Sequence, residues 1–304
     1  MRIGLLGTGP WARIAHAPAL HQHQDLEFVG VWGRRPEAAG ALAAEFGVRP
    51  YEDLDRLLDE VDAVAVALPP RIQADLAERA AAAGCHLLLD KPLALGVPDS
   101  RRVVDACEAA GVASVVFFTL RFIEECEAWV TEQAAAGGWF TARTTYVSSV
   151  FSGESEFADS PWRREKGALW DLGPHALSVL LPVLGDAEEV TAARGPRDTT
   201  HLTVRHSGGA LSSSMLSLTA PPAASSPIEF EFRGESGVTT MPEGLRDPVA
   251  ALRRAADALI EAAGTGRPHP CDASFGLRVV QVLAEAERRL AARVEEEEAE
   301  NWTL

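Results

Sequence analysis

The sequence predicts an α/β fold with a doubly wound parallel sheet in its first part, and a second part of a different class that is rich in strands. Through roughly the first 120 residues, short apolar segments alternate with Ala-rich segments, a pattern typical of a parallel sheet with helices on both faces. The pattern changes after Arg121 and Phe122, where strand-like segments dominate. A chain of 304 residues is long enough for about two domains, each with its own core.

The first part is predicted to contain six strands and five helices. Its fourth strand, 61–68, is apolar apart from Asp62, which is typical of a strand with both faces buried. Ligands of a doubly wound sheet bind beyond the carboxyl ends of the strands, so the residues that follow each strand are candidate site residues. The predicted strands are 2–6, 27–32, 48–51, 61–68, 85–89 and 113–119, and the predicted helices are one that ends near His21, then 36–47, 54–58, 72–83 and 99–110.

The second part is predicted to begin with a helix at 123–136 and a strand region at 139–151. A polar, turn-rich loop at 152–167 precedes a strongly apolar helix at 168–184. Four further strands are expected at 189–194, 199–206, 210–218 and 228–233, with a short edge strand at 238–241. Two closing helices, 248–263 and 273–294, lead to the acidic run 295–300, which is expected to be a solvated, frayed end.

The composition predicts a cytoplasmic protein that binds neither nucleic acid nor membranes. A formal charge of −16 opposes binding to polyanions. The N-terminus runs directly into a predicted strand without a signal-peptide pattern, and no apolar run was expected to span a bilayer. The cysteines and histidines lack metal-ligand spacing, so no metal site is expected, and the cysteines are expected to be reduced packing residues: Cys85, Cys107, Cys126 and Cys271.

A glycine-rich turn follows the first strand directly. Its residues are Gly7-Thr8-Gly9-Pro10-Trp11-Ala12. In such a turn the first glycine reverses the chain, the second lets the backbone approach phosphates, and a small third residue lets the helix pack on the strand. The motif predicts a site for the pyrophosphate of a dinucleotide, and an ordinary strand-to-helix turn is the alternative.

The second strand ends in Gly33-Arg34-Arg35, where an acidic residue would select NAD by binding the adenosine ribose. Here glycine leaves room, and two guanidiniums could pair with a 2′-phosphate by charge-assisted hydrogen bonds of about 1.5 to 3 kcal/mol each. One such contact would favour NADP over NAD by about ten- to a hundred-fold. The cofactor is therefore expected to be NADP, with NAD as the alternative. The structural alternative is that Arg34 and Arg35 form a solvated turn and do not contact the cofactor.

Two polar motifs carry the chemistry that an alcohol oxidation needs. His175 is the candidate acid–base, because its ordinary pKa lies near neutrality. Asp171 precedes it by one helical turn and could orient the imidazole, bind a second substrate hydroxyl, or only cap the helix. Lys91, in a stiff Asp90-Lys91-Pro92 unit, could stabilise a developing alkoxide or carry the proton itself. A surface lysine and a histidine satisfied by backbone are the structural alternatives.

Three motifs in this order resemble those of the Gfo/Idh/MocA family, the group of glucose-fructose oxidoreductase, inositol dehydrogenase and rhizopine catabolism. They are Gly7-x-Gly9-x-x-Ala12, Asp90-Lys91-Pro92 in place of Glu-Lys-Pro, and Asp171-x-Gly173-x-His175. The resemblance implies a dinucleotide-binding domain at 1–120 and a substrate-binding α+β domain at 121–304, with closing helices that could pack on the first domain. It also implies an open, mostly antiparallel sheet through which the chain forms a homodimer or tetramer.

The resemblance also implies which residues line the site. Departures from the family pattern are Gln73 and Ser178, where a histidine and an acid are usual, and Glu165-Lys166-Gly167 in place of three glycines. Arg163 and Trp162 could equally well form a stack that only closes their loop. The expected catalytic residues are Lys91, Asp171 and His175; the same three with Trp162 and Arg163 are expected to bind substrate; and Leu68, Pro69, Gln73, Asp90, Lys91 and Arg121 join the glycine turn and residues 33–35 as cofactor residues.

The first functional hypothesis is an NADP(H)-preferring oxidoreductase that acts on a hydroxyl or carbonyl group of a sugar, cyclitol or related small polyol. The presence of Lys91, Asp171 and His175 together favours an oxidoreductase over two alternatives. One is a catalytically silent regulator that binds the dinucleotide. The other is an enzyme that uses bound nicotinamide transiently for an elimination or hydrolysis. Substrate, direction and hydride face are not determined by the sequence.

Overall fold

The computed structural model describes residues 1–151, 155–243 and 247–301, with side chains up to residue 292. Two compact units make up the chain. The first unit is Met1–Ile123 with Leu245–Val280, and the second unit is Glu124–Gly244 with Gln281–Leu304. Each unit contains one six-stranded sheet.

The first unit contains a parallel sheet in the order β3-β2-β1-β4-β5-β6. The central strand β4 is wholly apolar and buried on both faces, as its composition predicts. The strands are β1 Arg2–Leu6, β2 Glu27–Trp32, β3 Arg49–Tyr51, β4 Ala63–Val66, β5 His86–Asp90 and β6 Ser114–Phe117, and the helices among them are α1 Ala17–Gln22, α2 Pro36–Phe46, α3 Leu54–Leu58, α4 Pro70–Ala82 and α5 Val97–Ala110. The predicted doubly wound α/β class is confirmed.

The helix after the glycine turn differs from the continuous helix that was predicted. Ala12–His16 form a π-helical turn, in which the Ala17 amide donates to the Ala12 carbonyl, and α1 begins at Ala17. Pro18 is the physical reason, because it has no N–H for the carbonyl four residues earlier and its ring excludes the regular α-helical register. The wider turn places His16 in the core, with none of its surface exposed.

The second unit contains a mixed sheet in the order β12-β11-β7-β10-β9-β8, in which only β7 and β10 pair in parallel. Alternate residues of Thr200–His206 are buried and exposed, so one face is covered and the other is open. The elements are α6 Glu124–Ala136, β7 Trp139–Val147, α7 Pro161–Leu184, β8 Ala187–Arg194, β9 Thr200–His206, β10 Leu211–Ser217, β11 Glu229–Gly234 and β12 Gly237–Thr240. The predicted mostly antiparallel α+β class is confirmed.

Helix α7 covers the buried face of this sheet, where it packs on β7, β9 and β10. It begins at Pro161, within the stretch predicted to be a loop, and is interrupted at Gly167, whose φ is +65° and ψ −163°. Although α7 is long and apolar enough to cross a membrane, 83% of its most apolar window is buried, as in the core helix of a globular unit. Gly173 lets α7 approach the last helix closely, since a Cβ there would lie 2.6 Å from Leu283 Cδ2.

The two last helices are α8, Pro248–Thr265, and α9, Ala273–Asn301. Asp247 caps α8 by accepting hydrogen bonds from the Val249 and Ala250 amides. Helix α8 packs on α1, β5 and β6 of the first unit. Helix α9 is continuous through Val280, where the first unit ends.

None of the four cysteines forms a disulfide and all four are buried, which confirms the prediction that they are reduced packing residues. Burial raises the pKa of the Cys85 and Cys107 thiols to about 11. Both therefore stay protonated at neutral pH and behave as small apolar side chains.

The burial of His16 predicts a pH-dependent stability. Neither ring nitrogen has a hydrogen-bond partner among the described residues, and burial lowers the His16 pKa to about 3. Between pH 6.5 and about 3 the unfolded chain binds a proton that the folded chain does not, so the free energy of unfolding falls as the pH falls. We expect this contribution to reach about 2 kcal/mol at pH 5.

Urea unfolding at pH 8 and pH 5 measures this effect. His16→Leu should lose less stability than the parent chain on going to pH 5, because leucine has no proton to bind. The control is His201→Leu, at an exposed histidine, which should behave as the parent does. Equal pH dependence of the parent and His16→Leu would contradict the assignment.

Candidate active site

The chain reverses direction at Gly7, directly after β1. The Gly7 amide donates to the Trp32 carbonyl at 2.9 Å, and its φ is +132°. A Cβ at this position would lie 2.4 Å from the Ala67 carbonyl oxygen. Only glycine fits both the backbone angle and the close approach.

The rest of the glycine turn leaves space beside its backbone. A Cβ at Gly9 would meet no atom within 4 Å. Ala12, at the start of the π-helical turn, is fully buried, as close packing of this turn on the sheet requires. The open space at Gly9 fits the approach of a phosphate group to the backbone, so these residues fit the pyrophosphate of a dinucleotide.

At the end of β2, Gly33 is also closely packed. A Cβ there would lie 2.7 Å from Cγ2 of Thr8, so the glycine makes room for the threonine of the turn. The next residues, Arg34 and Arg35, are exposed. In the described part of the chain neither arginine pairs with a carboxylate, so both guanidiniums are accessible to an anion such as a phosphate.

Lys91 follows β5 and is partly buried. Its peptide bond to Pro92 is cis. The Gln73 side chain, from the first turn of α4, is fully buried beside this segment. Its Oε1 accepts from the Asp90 amide at 2.9 Å, and its Nε2 donates to the carbonyls of Asp90 at 2.7 Å and of Pro92 and Leu93 at 3.2 Å. The sequence suggested only that Gln73 borders the cofactor, and this contact with the backbone around Lys91 was missed.

The order of the strands brings these segments to one edge of the first-unit sheet. β1, β4 and β5 are consecutive neighbours and run parallel, so their carboxyl ends lie side by side. The glycine turn follows β1, Leu68 and Pro69 lie two and three residues beyond β4, and Asp90 closes β5. Arg121 lies in a 3-10 turn after β6 and is buried.

In the second unit, Asp171 is buried in α7 and pairs with Arg163. The Arg163 Nε donates to Asp171 Oδ2 at 3.0 Å. The guanidinium lies over two aromatic rings, 4.8 Å from the Phe157 centroid and 4.7 Å from that of Trp162. The Arg163–Trp162 stack, which the sequence suggested as an alternative to a role in substrate binding, therefore exists, and Arg163 also pairs with the predicted aspartate.

His175 lies one helical turn beyond Asp171 and is partly buried. Helical geometry continues through Pro174, since Gly167 is the interruption within α7. The imidazole makes an edge contact with Tyr146, with ring centroids 6.0 Å apart and an interplanar angle of 64°. The Ser178 hydroxyl donates to the His175 carbonyl at 2.8 Å. Tyr146 was missed because only the inward-facing register of β7 brings it there.

A possible metal cluster in the first unit has a simpler explanation. His23, Asp25 and Asp257 bring their ligand atoms within 4.8 Å of one another. The His23 Nδ1 accepts from the Asp25 amide at 3.2 Å, which leaves the proton on Nε2 to be donated to Asp257 at 2.9 Å. If a metal bound to Nε2, the ring proton would have to be on Nδ1, where it would face the N–H group of Asp25 and the hydrogen bond between them would be lost. The hydrogen bonds therefore account for this cluster.

The two glycines of the turn predict opposite outcomes when each is replaced by alanine. Gly7→Ala should lower the free energy of unfolding by at least about 2 kcal/mol, because the new Cβ meets backbone at an unfavourable φ. Gly9→Ala should change stability by less than about 1 kcal/mol but weaken NADPH binding about tenfold or more, because its methyl group occupies the space for a phosphate. Urea unfolding measures the change in stability, and fluorescence titration measures the change in NADPH affinity. Unchanged NADPH affinity in Gly9→Ala would contradict a phosphate site at the glycine turn.

Comparison with known proteins gives a consistent family. The model of the oxidoreductase family with an NAD-binding Rossmann fold, Gfo/Idh/MocA, matches residues 1–118, and that of the Gfo/Idh/MocA C-terminal domain matches residues 127–240. D-apiose dehydrogenase of Paraburkholderia graminis is 32% identical over 62% of this chain and 51% of its own length. D-xylose 1-dehydrogenase (NADP(+)) 2 of Haloferax volcanii is 30% identical over 63% of this chain and 60% of its own length.

A solved structure shares the fold over nearly the whole chain. It is GenD2 from gentamicin A biosynthesis in complex with NAD, with a TM-score of 0.83 and 22% identity over 96% of this chain and 94% of that one. The family models match consecutive regions that together make up most of the sequence, and the three motifs occur in the expected order. The chain therefore belongs to the Gfo/Idh/MocA family of oxidoreductases.

Proposed function

We propose that this protein is an NADP(H)-preferring oxidoreductase that acts on a hydroxyl or carbonyl group of a sugar, cyclitol or related small polyol. The observation that carries the proposal is the position of Lys91, which lies at the same edge of the first-unit sheet as the glycine turn. Ligands of such a sheet bind beyond the carboxyl ends of its strands, and a cation there could stabilise the negative charge that develops on a substrate oxygen. The dehydrogenases of Paraburkholderia graminis and Haloferax volcanii, named for sugar substrates, support the substrate class.

The cofactor would be held by the backbone of the glycine turn, with its adenosine end toward Gly33. When bound, a nicotinamide supplies or accepts the hydride that no side chain can carry. The preference for NADP rests on Arg34 and Arg35, which are exposed beside a glycine. The relatives differ in their cofactors: the printed name of the xylose dehydrogenase specifies NADP, whereas GenD2 was solved with NAD.

In this proposal the first unit contributes Lys91 to the reaction and the second unit contributes His175. The Lys91 ammonium donates to the substrate oxygen and stabilises negative charge that develops there. The His175 imidazole takes the hydroxyl proton in the oxidising direction and returns it in the reducing direction. Asp171 binds a second hydroxyl of the substrate, and the Arg163 Nε, which donates to Asp171 Oδ2 at 3.0 Å, fixes the orientation of the carboxylate.

We also propose that the open face of the second-unit sheet contacts a second copy of the chain, as the family resemblance implies. Two large apolar side chains on this face are well exposed, Leu211 at 48% and Val238 at 55%. Four charged residues of the face are paired across strands, Arg143 with Glu231 and Arg205 with Glu189, so their charges are already partly compensated.

The cofactor preference predicts a selective loss in the double variant Arg34→Ala/Arg35→Ala. NADPH should bind about ten- to a hundred-fold more weakly, because the 2′-phosphate loses its charge-assisted hydrogen bonds. NADH affinity should change by no more than about twofold. Fluorescence titration with both dinucleotides measures this, with Arg101→Ala, at an exposed arginine of α5, as the control. Tighter binding of NADH than NADPH by the parent chain would rule out the preference.

The catalytic roles predict losses of turnover with the cofactor still bound. Screening sugars and polyols with NADP identifies a substrate, and on it Lys91→Met and His175→Asn should each lower kcat by about 10²- to 10³-fold. In His175→Asn, whose residue is not expected to bind the cofactor, the dissociation constant for NADPH should stay within about threefold. Lys166→Met is the matched control, since Lys91 and Lys166 are the two lysines of the chain. Full turnover by Lys91→Met would refute the role of that residue.

A further inference from the structure

We propose that Gln73 is a positioning residue, which fixes the backbone on both sides of Lys91 and thereby aims the ammonium group. The inference rests on the proposed function in one respect, since it takes Lys91 as the group that contacts the substrate. The observation itself is independent of any substrate. One buried amide makes four hydrogen bonds to a segment 17 to 20 residues further along the chain.

The contacts surround Lys91 from both directions. Before it, both backbone groups of Asp90 are bound, the amide by Oε1 at 2.9 Å and the carbonyl by Nε2 at 2.7 Å. After it, the carbonyls of Pro92 and Leu93 reach the same Nε2 at 3.2 Å. Three carbonyls thus converge on one NH₂ group that has two hydrogens, and the peptide groups that flank Lys91 are held relative to each other.

Gln73 is itself held rigidly. It lies in the first turn of α4, where its amide donates to the Pro69 carbonyl at 3.1 Å. Helix α4 begins directly after the loop that follows β4, and β4 is the hydrogen-bonded neighbour of β5. The side chain has none of its surface exposed, so water cannot replace its hydrogen bonds without reorganisation of the core.

A lysine needs such support more than most catalytic groups do. Its ammonium is carried on a flexible stem of four methylene groups, so its direction depends on the backbone from which the stem starts. Loss of the Gln73 amide would remove four hydrogen bonds from the backbone of residues 90, 92 and 93. The segment would then sample more conformations, and the ammonium would spend less time at the substrate oxygen. A displacement of about 1 Å at a reacting group costs about a hundredfold in rate.

The other side chains of similar size cannot make the same set of contacts. Methionine has the length of glutamine but neither its donor nor its acceptor. Glutamate would keep the acceptor, but its second carboxylate oxygen would face three carbonyl oxygens and repel them. Histidine offers one donor and one acceptor, so it could hold Asp90 while leaving the later carbonyls unbound. Gln73→Met and Gln73→His therefore form a graded pair of variants.

The small number of lysines allows a direct test. Reductive methylation with ¹³C-formaldehyde labels Lys91, Lys166 and the N-terminal amine, since the chain contains two lysines, and Lys91→Arg assigns the Lys91 signal. We expect the Lys91 methyl resonance to shift or broaden in Gln73→Met and to change less in Gln73→His. The Lys166 resonance should stay in place, because Lys166 pairs with Glu287 at 2.9 Å within the second unit. The matched control is Gln133→Met, at a buried glutamine of the second unit.

Kinetics give a second measurement. On a substrate found by the polyol screen, Gln73→Met should lower kcat by about 10- to 100-fold. In a Lys91→Met background the same change should lower kcat by no more than about twofold. An unmoved Lys91 resonance in both folded Gln73 variants would overturn the proposal. So would equal changes at Lys166, which indicate general loosening, or a full additional loss in the Lys91→Met background. If no substrate is turned over but the Lys91 resonance moves selectively, the positioning role stands and the proposed function fails.

Discussion

The first unit depends on one constraint, which is that every pair of neighbouring strands in its sheet is parallel. Parallel strands end at the same edge, so the segments that follow β1, β4 and β5 come together although they are far apart in the sequence. The chain has to turn sharply at that edge, and Gly7 allows it to do so against the Ala67 carbonyl. The glycine turn and Lys91 therefore share an edge as a direct result of strand pairing.

Each of the two polar motifs is fixed by a polar side chain from outside the motif. For Lys91 that side chain is Gln73, which is neutral and binds backbone. For Asp171 it is Arg163, which carries the opposite charge and is held between two aromatic rings. A buried carboxylate without its cation would be costly, so the arginine both permits the burial of Asp171 and fixes its orientation. In both cases the polar group is satisfied before any ligand binds, which favours preorganisation.

Irregular backbone lies next to both motifs and has local causes. Pro18 forces the π-helical turn that follows the glycine turn and buries His16 there without a hydrogen-bond partner in the described residues. Gly167 interrupts α7 four residues before Asp171, so Arg163 comes from a separate short helical segment and reaches the aspartate from outside the main helix. Gly173, inside the second motif, has a packing role, since it admits the Leu283 side chain.

Much of the fold was predictable because its signals are local. The alternation of apolar and Ala-rich segments gave the two fold classes, and helix ends were marked by glycines such as Gly47 and Gly111, which have positive φ. The main errors have equally physical reasons. The periodicity of residues 12–21 reads as an α-helix unless the effect of Pro18 on the register is worked out, and the polarity of residues 161–166 conceals a short helical segment before Gly167.

The sequence by itself determined the family motifs and the position of the glycine turn after the first strand. It also determined that Lys91 follows an apolar strand and that Asp171 and His175 lie in an apolar helix. These depend on spacing along the chain, which local propensity and hydrophobic period record. Only the tertiary structure decided what holds them. Gln73 meets the backbone at 90–93, and Tyr146 meets His175, across separations for which no periodicity exists. Such contacts are set by the pairing of strands and the packing of helices, so they become visible when the chain is folded.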